Sequence, residues 1–247
     1  MTIGPASGLA WKKKASGMRI RETIVAAGLL SITAATLAPR EAAAQTPPVV
    51  ARDKNWDIVS NVTMVAGASI VSLMPRVYFN DPEATVGWKG RWHISALAPI
   101  MSMTALTLMV DISVKNAIKT TRPRCTVDGT VFPLTECASY GAPSTQSYAA
   151  WGATGAGLGI FLVDTVKYSD GRFNVPYFLG QVVAPLTLSV LSSVGRAVEP
   201  GNSVAYESGG AIAAGALTGF ASGLIVGGAY ALLQKPSCGF GNNVFCW

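Results

Sequence analysis

Five long apolar segments separated by short polar stretches dominate the sequence from residue 58 onward. They cover residues 58–74, 93–110, 147–163, 173–194 and 208–233, and none contains Asp, Glu, Lys or Arg. A helix needs about 20 mostly apolar residues to cross a bilayer, and these segments have 17 to 26 residues each. The pattern therefore predicts five membrane-crossing helices.

The apolar segments are rich in Gly, Ala, Ser and Thr, which favours helices packed closely against one another. In the last segment glycine recurs at every fourth position, at Gly215, Gly219, Gly223 and Gly227. This stripe serves packing inside the bundle or, as the alternative, a homo-oligomer or a membrane complex. In the fourth segment, Pro185 predicts a helix distortion, because proline removes a backbone hydrogen bond.

Residues 1–44 have the pattern of a signal peptide. Basic residues at positions 12–14, 19 and 21 precede an apolar run at 24–38, and Ala-Ala-Ala at 42–44 fits an A-x-A cleavage site. An uncleaved N-terminal membrane segment is the alternative. In both cases the chain emerges on the non-cytoplasmic side, where residues 45–56 form an exposed lead-in to the bundle at 57–233 and a C-terminal tail at 234–247.

Composition excludes several classes of function. Half of the residues are hydrophobic and only 13% are charged, which is typical of a membrane protein rather than an ordinary soluble domain. The net charge is +6, and it falls to about +2 without residues 1–44, so no nucleic-acid partner is expected. One histidine and four cysteines without C-x2-C spacing do not make a zinc site, and no cofactor is predicted.

The segment KNAIKTTRP at 115–123 contains the most distinctive cluster of charge. Lys115, Lys119 and Arg122 are spaced four and three residues apart, which places them on one face of a helix that Pro123 should end. Lysine and arginine on one face can bind a tetrahedral oxyanion. The alternative is a basic cluster at the membrane edge, with Asp111 as the internal partner of Lys115.

Two further polar segments, PST at 143–145 and Gly-Arg at 195–196, adjoin apolar segments. With KNAIKTTRP, they resemble in order and spacing the pattern K-x6-RP, PSGH and SR-x5-H-x3-D of the type-2 phosphatidic acid phosphatase superfamily, over residues 57–233. The resemblance implies an all-α, membrane-embedded bundle of five to six helices. It also implies a phosphate-binding set made of Lys115, Arg122, Ser144, Thr145 and Arg196.

The residues that carry the family's chemistry are replaced in this chain. Gln146 and Asn202 stand where that family has histidines, and Tyr206 stands at the aspartate position, with Glu207 next to it. An amide can hydrogen-bond a phosphate, but it has neither a titratable proton nor a nucleophilic lone pair. His93, the one histidine, begins the second segment, at the opposite membrane face from Arg122, and is expected to be interfacial.

Threading the chain from outside after Gln45 places Arg122, Ser144 and Arg196 at the outer face. This predicts a bacterial-type inner membrane protein with its site facing the periplasm or exterior; the alternative is a soluble periplasmic bundle. Cys125 and Cys137 lie on the oxidising side, where a disulfide is expected. Cys238 and Cys246 lie in the tail on the other side.

These observations together predict a catalytically impaired, phosphatidic acid phosphatase-like membrane protein. It is expected to bind a phosphate-bearing lipid or small molecule at the outer membrane face. Two alternatives remain open at this point. The first is an active lipid-phosphate or polyprenyl-pyrophosphate phosphatase with altered chemistry, and the second is a structural subunit of a membrane complex.

Overall fold

The computed structural model describes residues 54–122, 125–127, 130–131, 140–198 and 207–237. Several positions singled out above lie outside these ranges: residues 1–53, Pro123, Cys137, Asn202, Tyr206, Cys238 and Cys246. The predictions made for them stay predictions.

Five helices long and apolar enough to cross a membrane are present in the described residues, and the prediction of a helical membrane protein is confirmed to that extent. They are α1 (Lys54–Leu73), α2 (Ile94–Ile118), α3 (Thr145–Tyr168), α4 (Val175–Ala197) and α5 (Gly209–Leu233). The second and third helices extend beyond the predicted ends at 110 and 163. Both extensions contain charged residues that form ion pairs, among them Asp111, Lys115 and Asp164.

The third helix, α3, is the centre of the bundle and contacts all four other helices. In its most apolar stretch 72% of the residues are buried, against 11% for α2. Large apolar side chains on the outer helices remain exposed, such as Met101 on α2 and Ile225 on α5. An apolar exterior around a small-residue core is what a membrane bundle requires.

The glycine stripe of α5 packs against the backbone of α3. At each of its four glycines a Cβ atom would lie closer than 3.0 Å to backbone atoms of α3, opposite Ser144, Tyr148, Gly152 and Ala156. The stripe is buried and serves packing inside the bundle. Since α3 already covers this face, it is not open to a second copy of the chain, and the stripe does not provide the assembly surface considered above.

The distortion predicted at Pro185 takes the form of a π-helical turn, Leu179–Val183, separated from the proline by Ala184. Pro185 cannot donate to the carbonyl four residues earlier, that of Gln181. This carbonyl lies against Gly157 of α3, where no side chain intervenes. The second π turn, Val110–Val114, lies in α2 between its main α-helical part, Leu97–Met109, and its last turn, Lys115–Ile118.

Two short antiparallel hairpins were not predicted from the sequence. Strands β1 (Arg76–Phe79) and β2 (Trp88–Arg91) pair between α1 and α2, and β3 (Thr126–Val127) and β4 (Thr130–Val131) pair between α2 and α3. Successive helices run in opposite directions, so the bundle has two ends. We call the end with β1 and β2 the hairpin end and the other the motif end.

Candidate functional site

Lys115 sits in a closed triangle of polar contacts at the motif end. Its side chain is only 3% exposed, and its Nζ lies 2.9 Å from Oδ1 of Asp111. The same ammonium donates to Oγ1 of Thr145 at 2.6 Å, and Thr145 donates to Asp111 at 3.1 Å. The charge of Lys115 is therefore balanced by Asp111, and the contact joins the end of α2 to the start of α3.

The prediction that one helix face carries Lys115, Lys119 and Arg122 is wrong. The helix ends at Ile118, because Lys119 adopts a left-handed conformation with φ of 53° and is exposed. The backbone that follows the helix is hydrogen-bonded to a distant segment, since the carbonyl of Thr120 accepts from the N–H of Gly141 at 2.8 Å. The helix therefore ends before Arg122, and the hydrogen bond of Thr120 ties the backbone between the two to Gly141.

Arg122 is a buried cation, 9% exposed, that packs against Gly141. A Cβ atom at residue 141 would lie 3.2 Å from Cγ of Arg122. The Nε atom of Arg122 has no hydrogen-bond partner, and none of the ion pairs among the described residues involves this guanidinium.

The segment that starts α3 is held by its own hydrogen bonds. The hydroxyl of Ser144 is buried and caps the helix, accepting from Ser147 N–H at 3.2 Å and donating to Ser147 Oγ at 3.1 Å. Gln146 donates from Nε2 to Asn61 of α1 at 2.5 Å. These contacts fix the N-terminus of α3, whose dipole favours nearby negative charge, and they leave the Ser144 hydroxyl engaged.

Arg196 ends α4 and forms an ion pair with α1. Its side chain is buried, and Nη2 lies 3.1 Å from Oδ1 of Asp57. Arg196 and Lys115 therefore share the motif end but have different carboxylate partners. The sequence pattern identified Arg196 but not its partner Asp57, nor Asn61. Both are polar residues at or just inside the start of the first apolar segment, and that position was the one signal that could have indicated them.

A cavity of about 200 Å³ opens at the motif end. Its walls are residues 120–121, residues 141–142, and the stretch that leads into α5, with Glu207, Ser208 and Ala211. Glu207 is 5% exposed, and its Oε2 has no hydrogen-bond partner in the part of the chain that is described. Glu207 therefore lies in the cavity wall. The sequence indicated this residue only because it lies close to the third motif.

His93 lies at the hairpin end, away from these residues. It is buried within the protein, and Nε2 lies 3.2 Å from the carbonyl of Pro236. Burial, together with the positive charge of Arg76, lowers the pKa of His93 to about 4. The imidazole is therefore neutral at pH 7 and does not serve the motif end.

Cys125 lies just after the Arg122 segment and is fully buried and disulfide-bonded. Its N–H donates to the carbonyl of Arg122 at 3.0 Å, so the cysteine anchors the backbone that presents Arg122. The predicted partner, Cys137, lies outside the described residues, and the pairing stays a prediction. Within the described ranges no group of three His, Cys, Asp or Glu side chains could hold a metal ion.

The motif end thus offers cationic and hydroxyl donors around one helix N-terminus, a set suited to binding an anion. Among the described residues the motif end has no imidazole. A mechanism in which a histidine attacks the phosphorus atom therefore has no nucleophile among them. Comparison with protein-family models, with curated proteins and with solved structures found no match.

Proposed function

We propose that this chain is a non-catalytic, phosphatidic acid phosphatase-like membrane protein that binds a phosphate-bearing group at the motif end, facing the periplasm or exterior. The observation that carries the proposal is Arg122, a buried guanidinium with an unbonded Nε and no carboxylate partner in the described chain. A buried charge without a counterion is strongly unfavourable. A bound phosphate would supply that counterion.

Other residues of the motif end also suit a phosphate. Lys115 and Thr145 lie beside the start of α3 and provide an ammonium and a hydroxyl at the positive end of a 24-residue helix. Asp111 neutralises Lys115, and Asp57 neutralises Arg196. Lys115 and Arg196 therefore position the site, and Arg122 supplies the charge that the ligand neutralises.

The first prediction concerns ligand binding. Inorganic phosphate, vanadate or phosphatidic acid should raise the thermal unfolding temperature of the detergent-purified protein, and Arg122→Gln should remove most of that rise. Loss of one charge-assisted hydrogen bond weakens binding by about 1.5–3 kcal/mol, more than tenfold. The measurement is thermal unfolding against ligand concentration.

Two control variants separate local binding from general charge effects. Lys119→Gln removes an exposed cation three residues from Arg122, and Lys235→Gln removes one at the hairpin end; both should keep the stabilisation. Absence of stabilisation of the wild-type protein by all three ligands would contradict the proposal.

The second prediction concerns turnover. Purified protein should release no phosphate above background from phosphatidic acid or a polyprenyl pyrophosphate. The amide at position 146 is hydrogen-bonded to Asn61 and cannot act as a nucleophile or as an acid. Turnover that disappears in Ser144→Ala or Glu207→Gln would establish instead an active phosphatase with altered chemistry.

A further inference from the structure

We infer that the cavity at the motif end binds a primary ammonium group, with the carboxylate of Glu207 as its counterion. This site takes a cation, so it differs in chemistry from the phosphate site proposed at Arg122. The inference does not depend on phosphate binding, because it rests only on the residues that line the cavity.

The lining of the cavity contains an acid and hydroxyls but no base. Glu207 is its one ionisable residue, and the other polar side chains in its walls are the hydroxyls of Thr120, Thr121 and Ser208. A carboxylate attracts positive charge, and hydroxyl oxygens accept hydrogen bonds from a cationic donor. These walls therefore favour a cation and disfavour an anion.

The side chain of Glu207 lacks the partners that a buried acid requires. It is 5% exposed, and its Oε2 atom has no hydrogen-bond partner in the described chain. None of the ion pairs among the described residues involves it. A buried carboxylate oxygen without a donor is strongly unfavourable. A cationic donor in the adjoining cavity would supply both the hydrogen bond and the opposite charge.

The start of α5 does not fill this role. Ser208, which follows Glu207, is the N-cap of the helix, and its hydroxyl accepts from the N–H of Ala211 at 3.2 Å. No hydrogen bond from the N–H groups of this turn to Glu207 is found in the described part of the chain. The N-terminus of the helix is thus capped by serine, and the acid beside it is left for another donor.

Both walls of the cavity are held in place by hydrogen bonds. On one side, Thr120 accepts from the N–H of Gly141 through its carbonyl at 2.8 Å and from the N–H of Ala142 through its hydroxyl at 3.0 Å. On the other side, the carbonyl of Ala211 accepts from the N–H of Ser144 at 2.9 Å. A site that is formed before the ligand arrives binds it at a lower entropic cost.

The size and charge of the cavity indicate the class of cation. One carboxylate balances one positive charge. The volume, about 200 Å³, is several times the roughly 30 Å³ that a water molecule occupies in the liquid, so a bare metal ion would leave most of it unfilled. It is below the range of about 300–1,000 Å³ usual for drug-sized ligands. A primary ammonium group on a small molecule fits, since its three N–H donors match the carboxylate and hydroxyl acceptors.

The third prediction compares ethylammonium with tetramethylammonium, which has the charge but no N–H donor, with Na⁺, and with ethanol, which is neutral. The protein in detergent and phosphate-free buffer should bind ethylammonium at least tenfold more tightly than each of the other three, as measured by calorimetry at constant ionic strength. Glu207→Gln should weaken ethylammonium binding at least tenfold, because the ammonium loses its counterion. Glu83→Gln, at an exposed acid of the hairpin end, should leave it unchanged.

Three results would overturn the inference: no binding of ethylammonium, equal binding of tetramethylammonium or Na⁺, or undiminished binding in Glu207→Gln. Because the buffer contains no phosphate, none of them bears on the proposed function. If Glu207→Gln does not fold, the comparison of the four ligands with wild-type protein still decides.

Nanodiscs identify the source of the ammonium group. If ethylammonium binds in phosphatidylglycerol nanodiscs but not in phosphatidylethanolamine nanodiscs, the headgroup of the lipid already occupies the cavity. If it binds equally in both, the ligand is a free small amine.

Discussion

Replacing Asp164 with asparagine should destabilise the protein by about 3–5 kcal/mol, the usual effect of removing one partner from a buried ion pair. Asp164 of α3 is completely buried and pairs with the buried Arg76 of β1. Nε of Arg76 donates to Oδ2 at 3.0 Å, and Tyr177 of α4 donates to the same oxygen at 2.7 Å. Asparagine keeps the shape but leaves the guanidinium without its counterion. The expected result is a large fall in the thermal unfolding temperature in detergent.

Asp170→Asn is the matched control for this prediction. Asp170 is exposed, lies near the same helix end, and has φ of 50°, a conformation that asparagine tolerates well. The double variant Asp164→Asn with Arg76→Met should be more stable than the sum of the single variants implies, because it removes both charges. Unchanged stability in Asp164→Asn, or strict additivity in the double variant, would show that the pair does not hold the hairpin end together.

The number and order of the helices could be predicted from the sequence because apolar length alone selects membrane-crossing segments. The ends could not. The second helix continues through Asp111 and Lys115 to Ile118, since the two charges pair one turn apart. The third continues through Asp164, whose partner Arg76 is 88 residues away. In the sequence a charged residue marks the end of an apolar segment, but in the structure a charged residue that is paired does not end the helix.

The sequence allowed the residues of the candidate site to be predicted, but not how they are arranged. Short motifs identified Lys115, Arg122 and Arg196, and the alternation of five helices brings them to one end of the bundle. The partners that decide their charge state, such as Asp57, come from other helices and have no local signature. The same holds for the cavity beside Glu207, which exists only because three separate segments converge there.

Gly223→Ala should be strongly destabilising although it adds only one methyl group. At this position a Cβ atom would lie 2.8 Å from the carbonyl carbon of Gly152 and 2.9 Å from the backbone nitrogen of Ala156. These are backbone atoms of the central helix and cannot rotate away as a side chain would. The two helices must separate along their whole contact, so we expect a loss of about 1–3 kcal/mol, the usual effect of overpacking.

The same substitution five residues further along the helix provides the control. At Gly228, also inside α5, a Cβ atom would meet no atom within 4 Å, so Gly228→Ala should stabilise the protein by about 0.5–1 kcal/mol through the lower backbone entropy of alanine in the unfolded chain. Thermal unfolding of both variants in one detergent should therefore give shifts of opposite sign. A stabilising Gly223→Ala would mean that α5 does not rest on α3 at this distance. Since Gly215 contacts Ser144 in the same way, a loosened stripe would also release the residues that begin α3 at the motif end.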